Sequence, residues 1–381
     1  MSGIRGFGDD ARAWAEIDLD ALDHNATHLR AQLHKGCQLM AVVKANAYGH
    51  GSVKVAQRLS ASGIDAFVVA TVDEGVQLRE SGLGGEILVV GYTHPSQAGI
   101  LNEYRLAQLI VDGAYAAALD KSGYKLHVHI AVDTGMHRLG IRPDNTAEIE
   151  SVFMCRNLIV DGISSDMAAS DSLDADDVAY TQMQTDKFFR VVDAIKSIGH
   201  STGKLHFQSS YGIYNYPGIT CDYARIGIAL YGVMSHDANM RIKPQLKPVL
   251  SLRARIAEIK SINKGDSVSY GRGFTASKQM KIATVCIGYA DGVPRQLTGN
   301  GGVCIIDGKK VPIIGRICMD MLMVDVTEID SIAQGSIATI IGKDGREIIR
   351  CEDVAKGCGT ISNDILSRLG GRLPRIYVEA D

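Results

Sequence analysis

The stretch Gln38-Leu39-Met40-Ala41-Val42-Val43 runs directly into Lys44-Ala45-Asn46-Ala47-Tyr48-Gly49-His50-Gly51 and then into the helix-compatible Ser52 to Ser60. An apolar run of strand length, a polar glycine-containing turn and a helical segment make one complete βα unit. The same order recurs at Ala66 to Ala70, Glu86 to Gly91, Leu106 to Val111, Lys125 to Val132, Leu158 to Ser164, Lys204 to Gln208 and Asp222 to Arg225. Segments such as Val72 to Glu80, Ala114 to Leu119 and Asp177 to Ile198 supply helical connections. Such alternation predicts a parallel sheet, and eight units close into an α/β barrel of the (β/α)8, TIM type. Barrels of this kind carry their chemistry where the strands end, so Lys44, Asp133 to Arg138, Asp166, Ser209-Ser210 and Arg225 are expected at one rim.

From about Pro244 the texture changes. Alternating runs at Val249 to Ile259, Lys281 to Ile287, Gly302 to Ile306, Val311 to Ile314, Met321 to Val326 and Ser336 to Ile341, separated by Gly, Asp and Asn turns, predict a mainly-β domain. Two units are expected, 14–240 and 241–381, with the alternating segment near 14–19 pairing with the second. No solenoid period or low-complexity tract interrupts them.

Composition sets the class. The chain has 381 residues, a 46% hydrophobic share and a net charge of −3, enough apolar content for two cores and no signature for nucleic acid. Eight scattered cysteines lack metal-ligand spacing, so no metal is expected and the thiols read as reduced and cytosolic. No signal peptide or bilayer-length apolar run is visible, which gives the expectation of a cytoplasmic protein or of the cytoplasmic domain of a membrane-anchored one. Lys44 is the chemically informative residue. A lysine just past a strand end is commonly solvated, yet one presented to a pocket is a Schiff-base former.

Five blocks, in order, decide between those readings: Ala41-Val42-Val43-Lys44-Ala45-Asn46-Ala47-Tyr48-Gly49-His50-Gly51, Asp133-Thr134-Gly135-Met136-His137-Arg138-Leu139-Gly140, Arg225-Ile226-Gly227-Ile228-Ala229-Leu230-Tyr231-Gly232, Ser269-Tyr270-Gly271 and Gly315-Arg316-Ile317-Cys318-Met319-Asp320. With them the chain resembles the alanine racemases along essentially its whole length. These are enzymes that use pyridoxal 5'-phosphate (PLP), bound by an N-terminal α/β barrel that precedes a β domain.

The resemblance implies that Lys44 carries the cofactor and that Lys44 and Tyr270 are the two opposed catalytic acid/base groups. It assigns Arg225 to the pyridine nitrogen, His206 to the support of Arg225, and Arg138 to the cofactor phenolate and the substrate carboxylate. Tyr48, Ser210 and the backbone N–H groups of Gly227 and Ile228 would hold the phosphate. It also implies a homodimer in which Tyr270 and Met319 reach the neighbouring subunit's site, Met319 beside the substrate. Alanine and serine are the expected substrates, and D-amino acid for peptidoglycan precursors the expected product.

Three departures from the family pattern stand out. Asn363, in Thr360-Ile361-Ser362-Asn363-Asp364, replaces a tyrosine that crowds the substrate side chain, which opens space for a hydroxyl and offers it a polar partner. With Gln208 to Pro217, this makes the chain similar to the catalytic domains of membrane-anchored serine/alanine racemases associated with vancomycin resistance. Asp166 stands where a histidine usually stacks on the cofactor ring, so contact with Arg225 or Tyr270 is open to it. Ala131 replaces a carbamylated lysine that positions Arg138, a task left to another anion or to nothing. A non-catalytic PLP carrier or sensor on the same scaffold is the alternative reading.

Overall fold

The structure is a computed structural model, and it describes residues 10–379; the last two residues of the unit expected at 241–381 lie outside them. After strand β1 (Ala13–Asp18), eight strands form a closed parallel barrel: β2 (Gln38–Val42), β3 (Ala66–Val69), β4 (Glu86–Val89), β5 (Ala107–Ile110), β6 (Leu126–Ala131), β7 (Leu158–Ser164), β8 (Lys204–His206) and β9 (Tyr223–Ile226). These are the eight apolar runs of the sequence, each one or two residues shorter at its ends in most cases. Closure comes from β2 pairing with β9, Met40 opposite Arg225.

Local chemistry starts the helices between the strands. Thr71 accepts from the Glu74 N–H ahead of Val72–Glu80, and Asp112 from the Tyr115 N–H ahead of Gly113–Asp120, satisfying first-turn donors that have no partner inside the helix. The barrel interior is partly polar. Met40, Val42, Ala66, Val68, Leu88, Ala107 and Tyr223 pack as an apolar inner cluster, while Gln108, His129 and His206 are fully buried beside it. Polar groups persist in such an interior only with hydrogen-bond partners.

The second unit is a nine-stranded sheet in the order β18-β17-β14-β15-β16-β13-β10-β1-β19, folded back on itself by a further β10–β17 pairing. Its strands are β10 (Leu250–Ile262), β13 (Met280–Val285), β14 (Val303–Ile306), β15 (Lys309–Ile314), β16 (Leu322–Asp325), β17 (Ile337–Asp344), β18 (Glu347–Ile349) and β19 (Arg375–Val378), with a separate small hairpin of β11 (Ser267–Val268) and β12 (Phe274–Thr275). Strand β1 runs antiparallel to β10 and parallel to β19, so the first and last described strands are neighbours.

The hairpin, β18, β19 and the short helices Cys351–Gly357 and Ser362–Ser367 are additions to the sequence reading. They are too short for periodicity to declare them. Among the described residues no helix is long and apolar enough to cross a membrane.

Candidate active site

A cavity of about 470 Å³ opens at the C-terminal ends of the barrel strands. Lys44, Tyr48, Arg138, His206, Ser210, Arg225, Gly227, Ile228 and Asn363 all line it, as do Asp133 and Asp166. The rim therefore collects the polar residues that strand ends predict, with Asn363 reaching it from the C-terminal helix Ser362–Ser367.

Lys44 is delivered by a costly backbone. Ala45, Asn46, Ala47 and Tyr48 follow it with φ of 53°, 53°, 54° and 50°, a run of four left-handed residues. L-residues pay roughly 1–2 kcal/mol each for that conformation, so neighbouring contacts must over-determine it. Glu74 does so: one carboxylate oxygen accepts from the Ala45 N–H and the other from the Ala70 N–H, each at 2.7 Å, tying the Lys44 turn to the end of β3. The Asn46 side chain caps the next helix by accepting from the Ser52 N–H at 2.9 Å. Burial, and after it the charge of Arg138, hold the Lys44 amine below the usual lysine range, against the opposing pull of Asp166 and Glu74. A larger fraction of neutral amine follows at any pH near 7.

Arg225 is clamped. Its Nη1 donates to His206 Nδ1 at 2.7 Å and to the His206 carbonyl at 2.8 Å. Its Nη2 donates to the Ser165 carbonyl at 2.7 Å and to Asp166 Oδ1 at 2.5 Å. Of the five N–H groups of a guanidinium, only Nε–H lacks a protein acceptor among the described residues. The second Asp166 oxygen accepts from Arg138 Nη2 at 2.6 Å, so one carboxylate bridges both arginines. This resolves two of the departures noted above. Asp166 pairs with Arg225, not Tyr270, and it is also the anion that meets Arg138 opposite Ala131. Although burial alone would push the Asp166 carboxyl up, the two guanidiniums hold it below the usual carboxylate range. Buried Gln184 fixes the segment, donating to the Asp166 carbonyl and accepting from the Ala168 N–H.

The residues fit a phosphate-bearing cofactor. A Cβ built on Gly227 would lie 2.7 Å from the Tyr48 phenol oxygen, so only glycine leaves that space open. The Ser210 hydroxyl sits against the N–H groups of Gly227 and Ala229 at 3.2 and 3.4 Å. Burial pushes the Tyr48 phenol up to about 12, leaving it a neutral donor. A phenol, a hydroxyl and main-chain N–H groups, with no carboxylate among them, make an anion cradle. A ring nitrogen in the same cavity would find a donor in Arg225 Nε–H, which no described residue accepts from.

Tyr270 and Met319 stand apart. They belong to the β domain, are 72% and 53% exposed, and do not line the cavity of their own chain. The Tyr270 turn is nonetheless built with care: Ser269, Gly271 and Arg272 all have positive φ, and a Cβ on Gly271 would meet the Arg316 guanidinium at 2.7 Å. Ser269 Oγ donates to the Arg316 carbonyl at 2.6 Å. Glu74 and Gln184 carry no motif in the sequence. Only the tertiary structure shows their part in the site.

Comparison with known proteins agrees with this geometry. The chain matches the family model described as "Alanine racemase, N-terminal domain" over residues 17–235 and that described as "Alanine racemase, C-terminal domain" over 249–377. It is 42% identical over 366 residues to an amino-acid racemase from Enterococcus faecalis, covering 96% of this chain and 51% of that protein. The chain thus spans about half the length of that relative. It is 37% identical to an alanine racemase from Carboxydothermus hydrogenoformans, over 96% of this chain and 99% of the relative. The crystal structure of alanine racemase from Bacillus anthracis with bound L-Ala-P superposes with a TM-score of 0.89 at 32% identity, covering 96% and 95% of the two chains.

Proposed function

Because the chain belongs to the alanine racemase family, a PLP-dependent family, we propose that it is an amino-acid racemase that interconverts the L and D forms of alanine and serine. The observation that carries this reading is the half-buried Lys44 amine in a cavity with Arg138, Arg225 and an anion cradle. The cofactor, when bound, supplies an electron sink that acidifies the α C–H bond of the substrate.

Racemisation needs two acid/base groups on opposite faces of the α-carbon. Lys44 Nζ takes the α-proton on one face, its lowered basicity leaving more free amine to do so. Tyr270 Oη returns a proton on the other. Since Tyr270 is exposed and outside the cavity of its own chain, the second base comes from a partner subunit, and the working unit is a homodimer with Met319 contributed alongside it. Arg138 pairs with the substrate carboxylate, held in place by Asp166. Arg225 stays a guanidinium, so it donates a hydrogen bond to the ring nitrogen without giving up a proton.

Serine enters through Asn363. Its side-chain Oδ1 is buried in the cavity wall with no hydrogen-bond partner among the described residues. A buried acceptor left unpaired costs about 1–3 kcal/mol, and a substrate hydroxyl relieves that cost where an alanine methyl does not. The product, D-alanine or D-serine, would serve peptidoglycan precursors on the cytoplasmic side.

The test is α-hydrogen exchange: purified protein with PLP is given L-alanine or L-serine in deuterated water. Deuterium at the α-carbon of the opposite enantiomer is the expected result. Retention of the α-hydrogen in both substrates would remove the proposal.

A further inference from the structure

The polar contacts of Arg225 continue away from the cavity, through the barrel, to the opposite end of the strands. His206 Nε2 lies 2.8 Å from His129 Nδ1, both rings fully buried. His129 Nε2 lies in turn 2.8 Å from Glu86 Oε1. That last contact is off the N–H axis, yet no other hydrogen-bond partner reaches either atom among the described residues. Glu86 also accepts from the Tyr223 hydroxyl at 3.2 Å and is 24% exposed at a second cavity, at the N-terminal strand ends.

Hydrogen positions along this line follow one from another. A guanidinium has no acceptor, so Arg225 Nη1–H facing His206 Nδ1 puts the His206 proton on Nε2. That proton faces His129 Nδ1, which therefore holds a lone pair, and the His129 proton sits on Nε2 against the Glu86 carboxylate. Burial and the Arg225 charge keep His206 well below the usual histidine range and hence neutral, as the scheme requires. The fold makes room for it: a Cβ on Gly162 would lie 2.4 Å from His129 Nδ1, and the β6–β7 register shifts between Val128 and His129.

We infer that His129 and Glu86 are positioning residues for Arg225, acting through His206, with the Glu86 carboxylate at the far end of the barrel fixing the tautomer that lets His206 accept from the guanidinium. The inference rests on the reading of Arg225 as the partner of the cofactor ring. Removing the acceptor at Glu86 strands the His129 Nε2–H in the barrel. Moving that proton to Nδ1 sets donor against donor at His206, and the fault passes to Arg225.

The experiment is nitrogen-15 spectroscopy of histidine-labelled, PLP-loaded protein, with His129 and His206 assigned. Both rings are expected as Nε2–H tautomers in the unaltered protein. Glu86→Leu should move His129 toward Nδ1–H, shift the His206 ring resonances and lower kcat about tenfold or more with little change in KM. Glu86→Gln, which keeps an oxygen acceptor, should retain the tautomers and most of the turnover. An Nδ1–H tautomer at either ring in the unaltered protein, or His206 resonances unmoved in Glu86→Leu, would overturn the inference. Because the spectra report tautomers directly, a protein with the expected tautomers but no racemisation would contradict the functional reading and leave the relay standing.

Discussion

Asp166 and Arg138 meet at 2.6 Å, while the other Asp166 oxygen is held by Arg225. This carboxylate makes a single unit of the arginine assigned to the ring nitrogen and the one assigned to the substrate carboxylate.

Asp166→Asn keeps one acceptor and turns an NH2 toward the other guanidinium, so one arginine must be released. Charge-assisted hydrogen bonds are worth about 1.5–3 kcal/mol, and Asp166 is 45% exposed, so the lower end applies and kcat/KM should fall roughly tenfold. The Lys44 amine loses an anion that raises it, so its midpoint should move down further. Acylation of Lys44 against pH in the cofactor-free protein reads that midpoint. A rise would contradict the bridging role.

Asn363→Leu removes the unpaired acceptor at the cavity wall while keeping the branching at Cγ and the number of side-chain heavy atoms. Serine kcat/KM should fall roughly fivefold to tenfold, and alanine should change by less than about twofold. Equal losses for both substrates would show that Asn363 acts only by shape.

For Tyr270→Phe, loss of one of two opposed bases should slow α-deuterium exchange from one enantiomer by about a hundredfold, and from the other much less. Proton NMR of each enantiomer in deuterated water measures both. Symmetric and unchanged exchange would sink the two-base assignment.

Buried histidines give the fold an acid limit. His50 donates from Nδ1 to the Ala47 and Tyr48 carbonyls beside the Lys44 turn, and burial pushes it down to about 4. In the unfolded chain it takes up a proton near 6.5, so the unfolded state binds more protons between about 6.5 and 4. Stability should be full above pH about 6.5 and decline as pH falls toward 4, by about 3 kcal/mol for His50, with His206 adding in the same direction. Thermal unfolding across that range checks the sign. A flat profile would place His50 in water.

The barrel was legible because its strands are short apolar runs bounded by turn residues, and parallel strands buried on both faces must look that way. Lys44, Arg138, Asp166 and Arg225 were legible as rim residues for the same reason, since a strand end followed by a polar residue points to one place in a closed barrel. The β11–β12 hairpin that presents Tyr270, and the six-residue helix that carries Asn363, were not. Segments of two to six residues carry no usable period. His129 was equally silent, one of two histidines in the strand Leu126–Ala131, its partner His206 lying 77 residues away. Glu74 is a first-turn acid of the helix Val72–Glu80. Its grip on the Lys44 turn exists only once β2 and β3 lie side by side.

The most direct test of the central claim is chiral separation of products after the purified, PLP-loaded protein is incubated separately with L-alanine and L-serine, and then with the D forms. The account predicts D product from each L substrate, L product from each D substrate, and approach to equal amounts from either side. Intact starting enantiomers in all four incubations, with PLP bound at Lys44, would contradict it.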